Sequence, residues 1–284
     1  MIGIIGVFVF LLGAATGSFL NVCIWRMPRE ESIVHPGSHC TRCNTSLSAA
    51  DNIPLISFLL LRGKCRYCGA PISPRYFAIE LLTAVYFLFT YYWFVIAGSF
   101  TSDAMRYIAF ADAALFGAAM IAIFFIDLEH FIIPDELNIF GIVLGLVANG
   151  IAIATGNAGW TTNILGFQIP LPASIVGILV CGGVFLLITV ASYFAFKKDA
   201  MGGGDIKLAA AVGANLALGP ALLSFFLAVV MGSIIGVALI LSRKKSRKDY
   251  LPFGPMMVAG ALIAMFYGQE LIRAWMNYSG LSIV

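Results

Sequence analysis

The chain has 284 residues, of which 61% are hydrophobic and 11% charged, with 17 lysines and arginines against 14 aspartates and glutamates. Soluble domains carry about a quarter of their residues charged, so this composition excludes an ordinary soluble domain and marks a membrane protein. The net charge of +3 is too small to point to a nucleic-acid partner.

A membrane span needs about 20 apolar residues. Eight stretches are predicted as spans, at roughly 3–25, 77–98, 105–126, 137–156, 173–196, 206–218, 220–242 and 255–277. The first has no basic leader region and no small-x-small exit, and Arg26 follows it. It is therefore expected to stay as a transmembrane helix rather than be removed as a signal peptide. The sixth is short for a full crossing, and Gly219-Pro220 predicts a tight break before the seventh. The predicted fold is an all-α polytopic membrane protein of about eight helices embedded in the lipid bilayer. It divides into a first helix (1–25), a loop domain (26–76) and a core of seven further helices (77–284). The remaining loops are expected to be short turns.

Basic residues set the orientation, because loops rich in Lys and Arg stay on the cytoplasmic side. With Met1 outside, the inside loops are 26–76, 127–136, 197–207 and 243–254. They hold 15 of the 17 basic residues, leaving Arg106 and Arg273 outside. This topology puts both termini outside. The basic run at 243–248 reads as a topology anchor.

The first inside loop, about 50 residues, is too small for an unaided hydrophobic core and needs a staple. Cys40-Thr-Arg-Cys43 and Cys65-Arg-Tyr-Cys68 form two C-x-x-C pairs with 21 residues between them. Four-cysteine zinc sites run at about 15–20, so the fit is loose. Asn44 and Gly69 follow the pairs, and both residue types tolerate the left-handed backbone a tight turn over a metal requires. The alternatives are structural zinc on Cys40, Cys43, Cys65 and Cys68, or two disulfides. A cytoplasmic loop favours reduced thiols and hence zinc. Cys23 and Cys181 lie inside spans and read as small apolar core residues. His35 and His39 read as loop histidines.

Acidic residues in membrane spans are costly and are functional candidates by default. Asp112, in the outer part of the third span, reads as structural, and Glu80 opens the second. Asp127 ends an apolar run, Ile121-Ala-Ile-Phe-Phe-Ile-Asp127, and Asp205 ends the glycine turn Gly202-Gly203-Gly204, two residues before Lys207. The topology places both at the same inner depth. Glycines there would allow unusual backbone conformations or a close approach. Either aspartate alone reads as a helix cap or an interfacial charge. Together, at matched depth with a glycine turn, they read as a functional pair. Two neighbouring carboxylates can share one proton and hydrolyse a peptide bond, or they can bind a cation or relay protons in a transporter.

The chain resembles the bacterial prepilin peptidases, or type IV leader peptidases, over nearly its whole length. The matching segments begin with Gly17-Ser-Phe-Leu-Asn-Val22 and Arg26-x-Pro28, and continue through the paired C-x-x-C loop. Asp51-Asn-Ile-Pro54, Arg62-Gly63-Lys64-Cys65 and Ile72-Ser-x-Arg75-Tyr76 with Glu80 follow. The last are Asp127 with Ile133-Pro134-Asp135, the glycine turn at 202–205 with Lys207-Leu208, and Pro252-Phe-Gly-Pro255. One departure is Thr41-Arg42 inside the first C-x-x-C, where the family usually has proline. The resemblance implies an enzyme of the bacterial inner membrane with its active site facing the cytoplasm. It would cleave the basic leader of prepilins and pseudopilins after a glycine. It would then N-methylate the new amino terminus from S-adenosylmethionine. The family's catalytic aspartates fall on Asp127 and Asp205. Asn21, Arg26 and Glu80 match by position near the methyltransferase activity. A peptidase without methyltransferase activity and a transporter are the alternatives. A presenilin-like protease shares the glycine–aspartate turn but lacks the four-cysteine loop.

Overall fold

A computed structural model describes residues 2–98, 102–155, 161–164, 167–197, 201–244, 246 and 251–280. The chain forms two compact units, Met1–Ala122 and Ile123–Val284. Among the described residues, seven helices are long and apolar enough to cross a membrane. Lys198, Lys245, Arg247 and Lys248, which entered the orientation argument, lie outside the described residues.

In the first unit α1 (Ile2–Arg26) packs against α3 (Pro74–Tyr91), which continues as a π-helical turn over Tyr92–Ile96. The contact depends on small residues. A Cβ on Gly13 would lie 2.8 Å from the Cα of Ala84, and one on Gly17 would lie 2.7 Å from the Cα of Glu80. Glycines four apart let two helices approach to backbone contact, the usual membrane substitute for a hydrophobic driving force. Between α1 and α3 the loop carries the short helix α2 (Ile56–Leu60). The unit closes with the first part of α4 (Asp103–His130), where the Tyr86 hydroxyl donates to the Ala113 carbonyl at 2.8 Å. Asp112 is buried there.

The second unit begins with the end of α4 and continues with α5 (Asp135–Ala154). A hairpin follows, β1 (Thr161–Ile164) antiparallel to β2 (Phe167–Pro172). The hairpin corrects the expectation that this connection is a plain turn. Its strands are rich in Thr and Ile, which suit a pleated backbone. One span is built from α6 (Ala173–Gly177), a π-helical turn over Ile178–Gly182, and α7 (Gly183–Phe196). Then come α8 (Gly203–Asn215), α9 (Leu218–Leu241) and α10 (Gly254–Ser279).

The expected short sixth span is α8. Its 13 residues extend about 20 Å, against about 30 Å of hydrocarbon. It runs through the unit's interior, with Leu208 to Ala214 all buried. Its small residues permit this: a Cβ on Gly213 would lie 2.3 Å from the Gly177 carbonyl oxygen. The break before α9 comes at Leu216–Ala217, two residues ahead of the expected Gly219-Pro220. Pro220 sits in the first turn of α9, where its missing N–H would have had no partner anyway.

One end of this unit collects the polar groups. The starts of α5 and α8 meet through the Lys207–Asp135 ion pair, 2.6 Å long, and through Asn138 Nδ2, which donates to the Gly204 carbonyl at 3.4 Å. The start of α10 reaches Asp127 at the end of α4. Thus α9 returns the chain to the end from which α8 sets out.

Candidate active site

Asp127 lies near the last turn of α4 and is 5% exposed. Its Oδ2 accepts the Gly254 N–H at 3.0 Å. Three residues later α4 ends, and Phe131 turns the chain with a left-handed φ of 58°, its amide donating to the Asp127 carbonyl at 3.0 Å. Asp205 occupies the first turn of α8, and its Oδ2 accepts the Gly202 N–H at 3.1 Å. This reciprocal bond to the residue ahead of the helix is a capping-box contact. Asp205 does cap its helix, as the simpler reading allowed, and it also stands beside Asp127. The two carboxylates are close enough for the charge of Asp205 to act on Asp127. The structure thus brings together two acids 78 positions apart in sequence.

The glycine turn works by proximity, not by unusual backbone angles. None of Gly202, Gly203 and Gly204 has a positive φ. A Cβ on Gly204 would lie 2.9 Å from the Cβ of Ile133, so Gly204 lets α8 start against the α4–α5 loop. A Cβ on Gly203 would meet nothing within 4 Å. Lys207 is engaged by Asp135, which the sequence reading left unassigned.

In the first unit the four cysteines converge. The sulfurs of Cys40, Cys43, Cys65 and Cys68 all lie within 4.8 Å of one another, and all four are free thiols. They are positioned to bind a metal ion. Each C-x-x-C pair forms the same knuckle. Asn44 N bonds Cys40 O at 2.8 Å and Cys40 N bonds Thr45 O at 3.0 Å; Gly69 N bonds Cys65 O at 2.9 Å and Cys65 N bonds Ala70 O at 2.8 Å. Asn44 and Gly69 have φ of 55° and 68°, as expected of residues closing these turns. The Thr45 hydroxyl, 3.3 Å from Cys43 Sγ, together with the Thr45 amide, lowers the Cys43 thiol to about 6. That favours the thiolate a metal requires. His35 and His39 stand outside the cluster. Cys23 and Cys181 are buried, as expected of core residues.

Two family profiles cover the chain: the bacterial peptidase A24 N-terminal domain over residues 11–94, and the type IV leader peptidase family over residues 114–237. Proteins called prepilin leader peptidase/N-methyltransferase are similar along nearly their whole length. The one from Aeromonas salmonicida is 32% identical over 95% of this chain and 93% of its own. That of Legionella pneumophila is 33% identical over 94% and 93%, and that of Bacillus subtilis is 31% identical over 94% and 96%. The chain belongs to the type IV leader peptidase family. No solved structure matches it.

The remaining residues singled out from the leader peptidase resemblance make contacts among α1, α3 and the loop between them. Glu80 Oε2 accepts the Leu55 N–H at 2.7 Å, and Ser18 also bonds this carboxylate. Leu55 has φ 62° and ψ −50°, and Ile56 N bonds Pro54 O at 2.6 Å. This is a γ-turn, strained for a non-glycine residue, and the carboxylate of Glu80 anchors it. Asn21 Nδ2 donates to the Tyr76 carbonyl at 3.0 Å. Arg26 donates to the carbonyls of Ser32 at 2.9 Å and Gly37 at 3.3 Å. Asp51, part of the matched Asp51-Asn-Ile-Pro54 segment, has its side chain 1% exposed. It accepts from Ser48 Oγ at 2.7 Å, Arg66 Nε at 2.5 Å and the Tyr67 hydroxyl at 3.2 Å.

Two residues that frame the aspartates were not picked out from sequence. Gly254 lies in the matched Pro252-Phe-Gly-Pro255 segment. A glycine fixed before a proline at a helix start was the available signal. Asn138 sits one turn inside an apolar helix and is fully buried. A buried amide in that setting requires a polar partner, which here is the backbone of Gly204.

Proposed function

We propose that this protein is a prepilin leader peptidase of the bacterial inner membrane, working by an aspartyl mechanism with Asp127 and Asp205. The observation that carries the proposal is the proximity of these two carboxylates at one end of the second unit, in a chain of this family. Two carboxylates in reach of each other share one proton. The ionised member takes a proton from a water molecule, which attacks the scissile carbonyl. The protonated member donates to the carbonyl oxygen as it gains charge. Oδ2 of each aspartate is held by a backbone amide, of Gly254 and of Gly202, so the carboxylates are oriented before substrate arrives. Oδ1 of each is then the atom that meets water and peptide.

The substrates are prepilins and pseudopilins, cut after glycine at the cytoplasmic face. That orientation rests on the distribution of Lys and Arg, which also puts both termini outside. The relatives' names couple the peptidase to an N-methyltransferase, and we assign the second activity here too, with S-adenosylmethionine as methyl donor. In that activity Asn21, Arg26 and Glu80 act as positioning residues, because each holds backbone at the loop domain. Zinc is the metal proposed for the four cysteines, since four thiolates make a closed structural site for that ion.

The test is cleavage of a prepilin by purified protein. Asp127→Asn and Asp205→Asn should each abolish it. Full cleavage by both variants sinks the aspartyl mechanism. Labelled S-adenosylmethionine in the same reaction should mark the mature amino terminus, and an unlabelled product would leave a peptidase alone.

A further inference from the structure

The loop domain carries one strongly apolar run, Ile53-Pro-Leu-Ile-Ser-Phe-Leu-Leu-Leu61, which neither the cysteine cluster nor the aspartates use. Its middle is α2. One side of this short helix faces the protein. The Phe58 ring lies 5.4 Å from that of Phe77 on α3, centroid to centroid, and a Cβ on Gly63 would meet it at 3.2 Å. The other side is bare. Ile56, Leu59 and Leu60 share one helical face and are exposed with Ile53, Leu59 at 62% and Leu60 at 77%. A loop surrounded by water would turn these side chains inward.

The depth of α2 says what borders that face. With its π-helical turn α3 runs 23 residues, Pro74–Ile96. At the α-helical rise this is about 34 Å, against about 30 Å of hydrocarbon, so its first turn lies at the membrane–water boundary. Arg75 and Tyr76 in that turn are residue types that collect there, as is Trp25 at the end of α1, with the Arg29 guanidinium 3.8 Å over its ring. Phe77 and Glu80 follow directly along α3. Phe77 holds Phe58, and Glu80 Oε2 accepts the Leu55 N–H at 2.7 Å. These two contacts fix α2 at the level of the membrane surface, not out in water.

Charge agrees with depth. Arg62 and Lys64, both exposed, follow the apolar run, and no acidic residue lies between Asn52 and Cys65. Apolar side chains flanked by cations suit a bilayer surface that carries anionic headgroups.

We infer that α2 is an interfacial anchor for the loop domain. Ile53, Ile56, Leu59 and Leu60 enter the bilayer surface, and Arg62 and Lys64 lie among anionic headgroups. The loop domain is then held to the membrane by lipid on one side of α2 and by Phe77 and Glu80 on the other, whatever chemistry the aspartates perform.

The test places an environment-sensitive fluorescent amino acid at Leu60 in the full chain. Leu60 is largely exposed, so the fold should tolerate the change. The protein is reconstituted without substrate into phosphatidylcholine vesicles with about a quarter phosphatidylglycerol. Emission should be blue-shifted and should lose about half its intensity to lipids brominated about 5–10 Å below the headgroups. Emission typical of water, unquenched at every depth, overturns the inference. So does a blue shift that appears only when a prepilin is added, which would make the face a protein-binding surface. A blue shift that no bromine quenches would make it a contact between copies of this chain, and also overturns it. Ile56→Asp with Leu59→Asp in the labelled chain should restore the water-like emission with helix content unchanged by circular dichroism, and quenching that persists in that variant counts against the anchor. Arg62→Gln with Lys64→Gln should reduce quenching in the anionic vesicles but not in phosphatidylcholine alone. Quenching that is the same in both lipids, with and without the two cations, refutes the headgroup contact.

Discussion

The Gly254 amide donates to Asp127 Oδ2 at 3.0 Å, and a Cβ at position 254 would lie 2.6 Å from that same oxygen. One glycine therefore both holds the carboxylate and leaves room for it. Gly254→Ala should displace the aspartate by several tenths of an ångström. Misplacing a catalytic group by about 1 Å costs about 100-fold, so a 10- to 100-fold fall in kcat is expected for prepilin cleavage. Fold content by circular dichroism should be unchanged. Wild-type kcat in Gly254→Ala would show that this contact does not orient the acid.

The glycine turn gives an internal control. Gly204→Ala places a Cβ 2.9 Å from Ile133, at the junction of α8 with the α4–α5 loop. Gly203→Ala meets nothing within 4 Å. The first should lower activity and melting temperature. The second should leave the melting temperature equal or slightly higher, since alanine is favoured over glycine in a helix by about 1 kcal/mol. Thermal melts and cleavage rates of the two variants decide it. Equal effects would mean that the turn's backbone, not its close approach, sets the requirement.

These contacts explain what could be read ahead of the structure. The cysteine knuckles were legible because their chemistry is local: Cys40 to Asn44 and Cys65 to Gly69 each close within five residues. Asp127 and Asp205 stood out because carboxylates in apolar sequence are costly. Gly254 was not legible as a site residue, because its partner lies 127 positions away and glycine carries no chemical label. Gly13 and Gly17 were missed as a packing face for the same reason, since what they meet is the backbone of α3. The hairpin at Thr161–Pro172 was hidden between two strongly apolar spans, where a short run of Thr and Ile does not stand out.

Removing metal should act on the first unit. A loop of about 50 residues is small for an unaided core, and the proposed zinc on its four clustered sulfurs is expected to staple it. Strong chelation, or Cys40→Ser with Cys65→Ser, should bring bound zinc from about one per chain to none. Trypsin should then cut faster at Arg42, Arg62, Lys64 and Arg66. Thr45→Val should weaken the metal with a steeper loss in mild acid, because the hydroxyl that lowers the Cys43 thiol to about 6 is gone. A tryptic pattern unchanged by metal loss would mean that the loop folds without a staple.

Asp51 gives the loop a pH dependence with a defined sign. The hydroxyl of Ser48, then the Arg66 guanidinium and the Tyr67 hydroxyl, hold its carboxyl down to about 2. In an unfolded chain an aspartate titrates near 3.9. A carboxyl lowered on folding adds stability that is fully present above its unfolded value, and loses it as acid protonates the folded group. The contribution is therefore intact at about pH 5 and above, and it fades between about 4 and 2. Asp51→Asn keeps the shape of the side chain and removes this charge, leaving Arg66 without its ion pair. The variant should melt below the wild type at neutral pH, with a gap that stays constant down to about pH 5 and closes as pH falls toward about 2. Differential melts in detergent across that range measure it. A gap that is flat or that widens in acid would mean that the charge on Asp51 is not what holds Ser48, Arg66 and Tyr67 together.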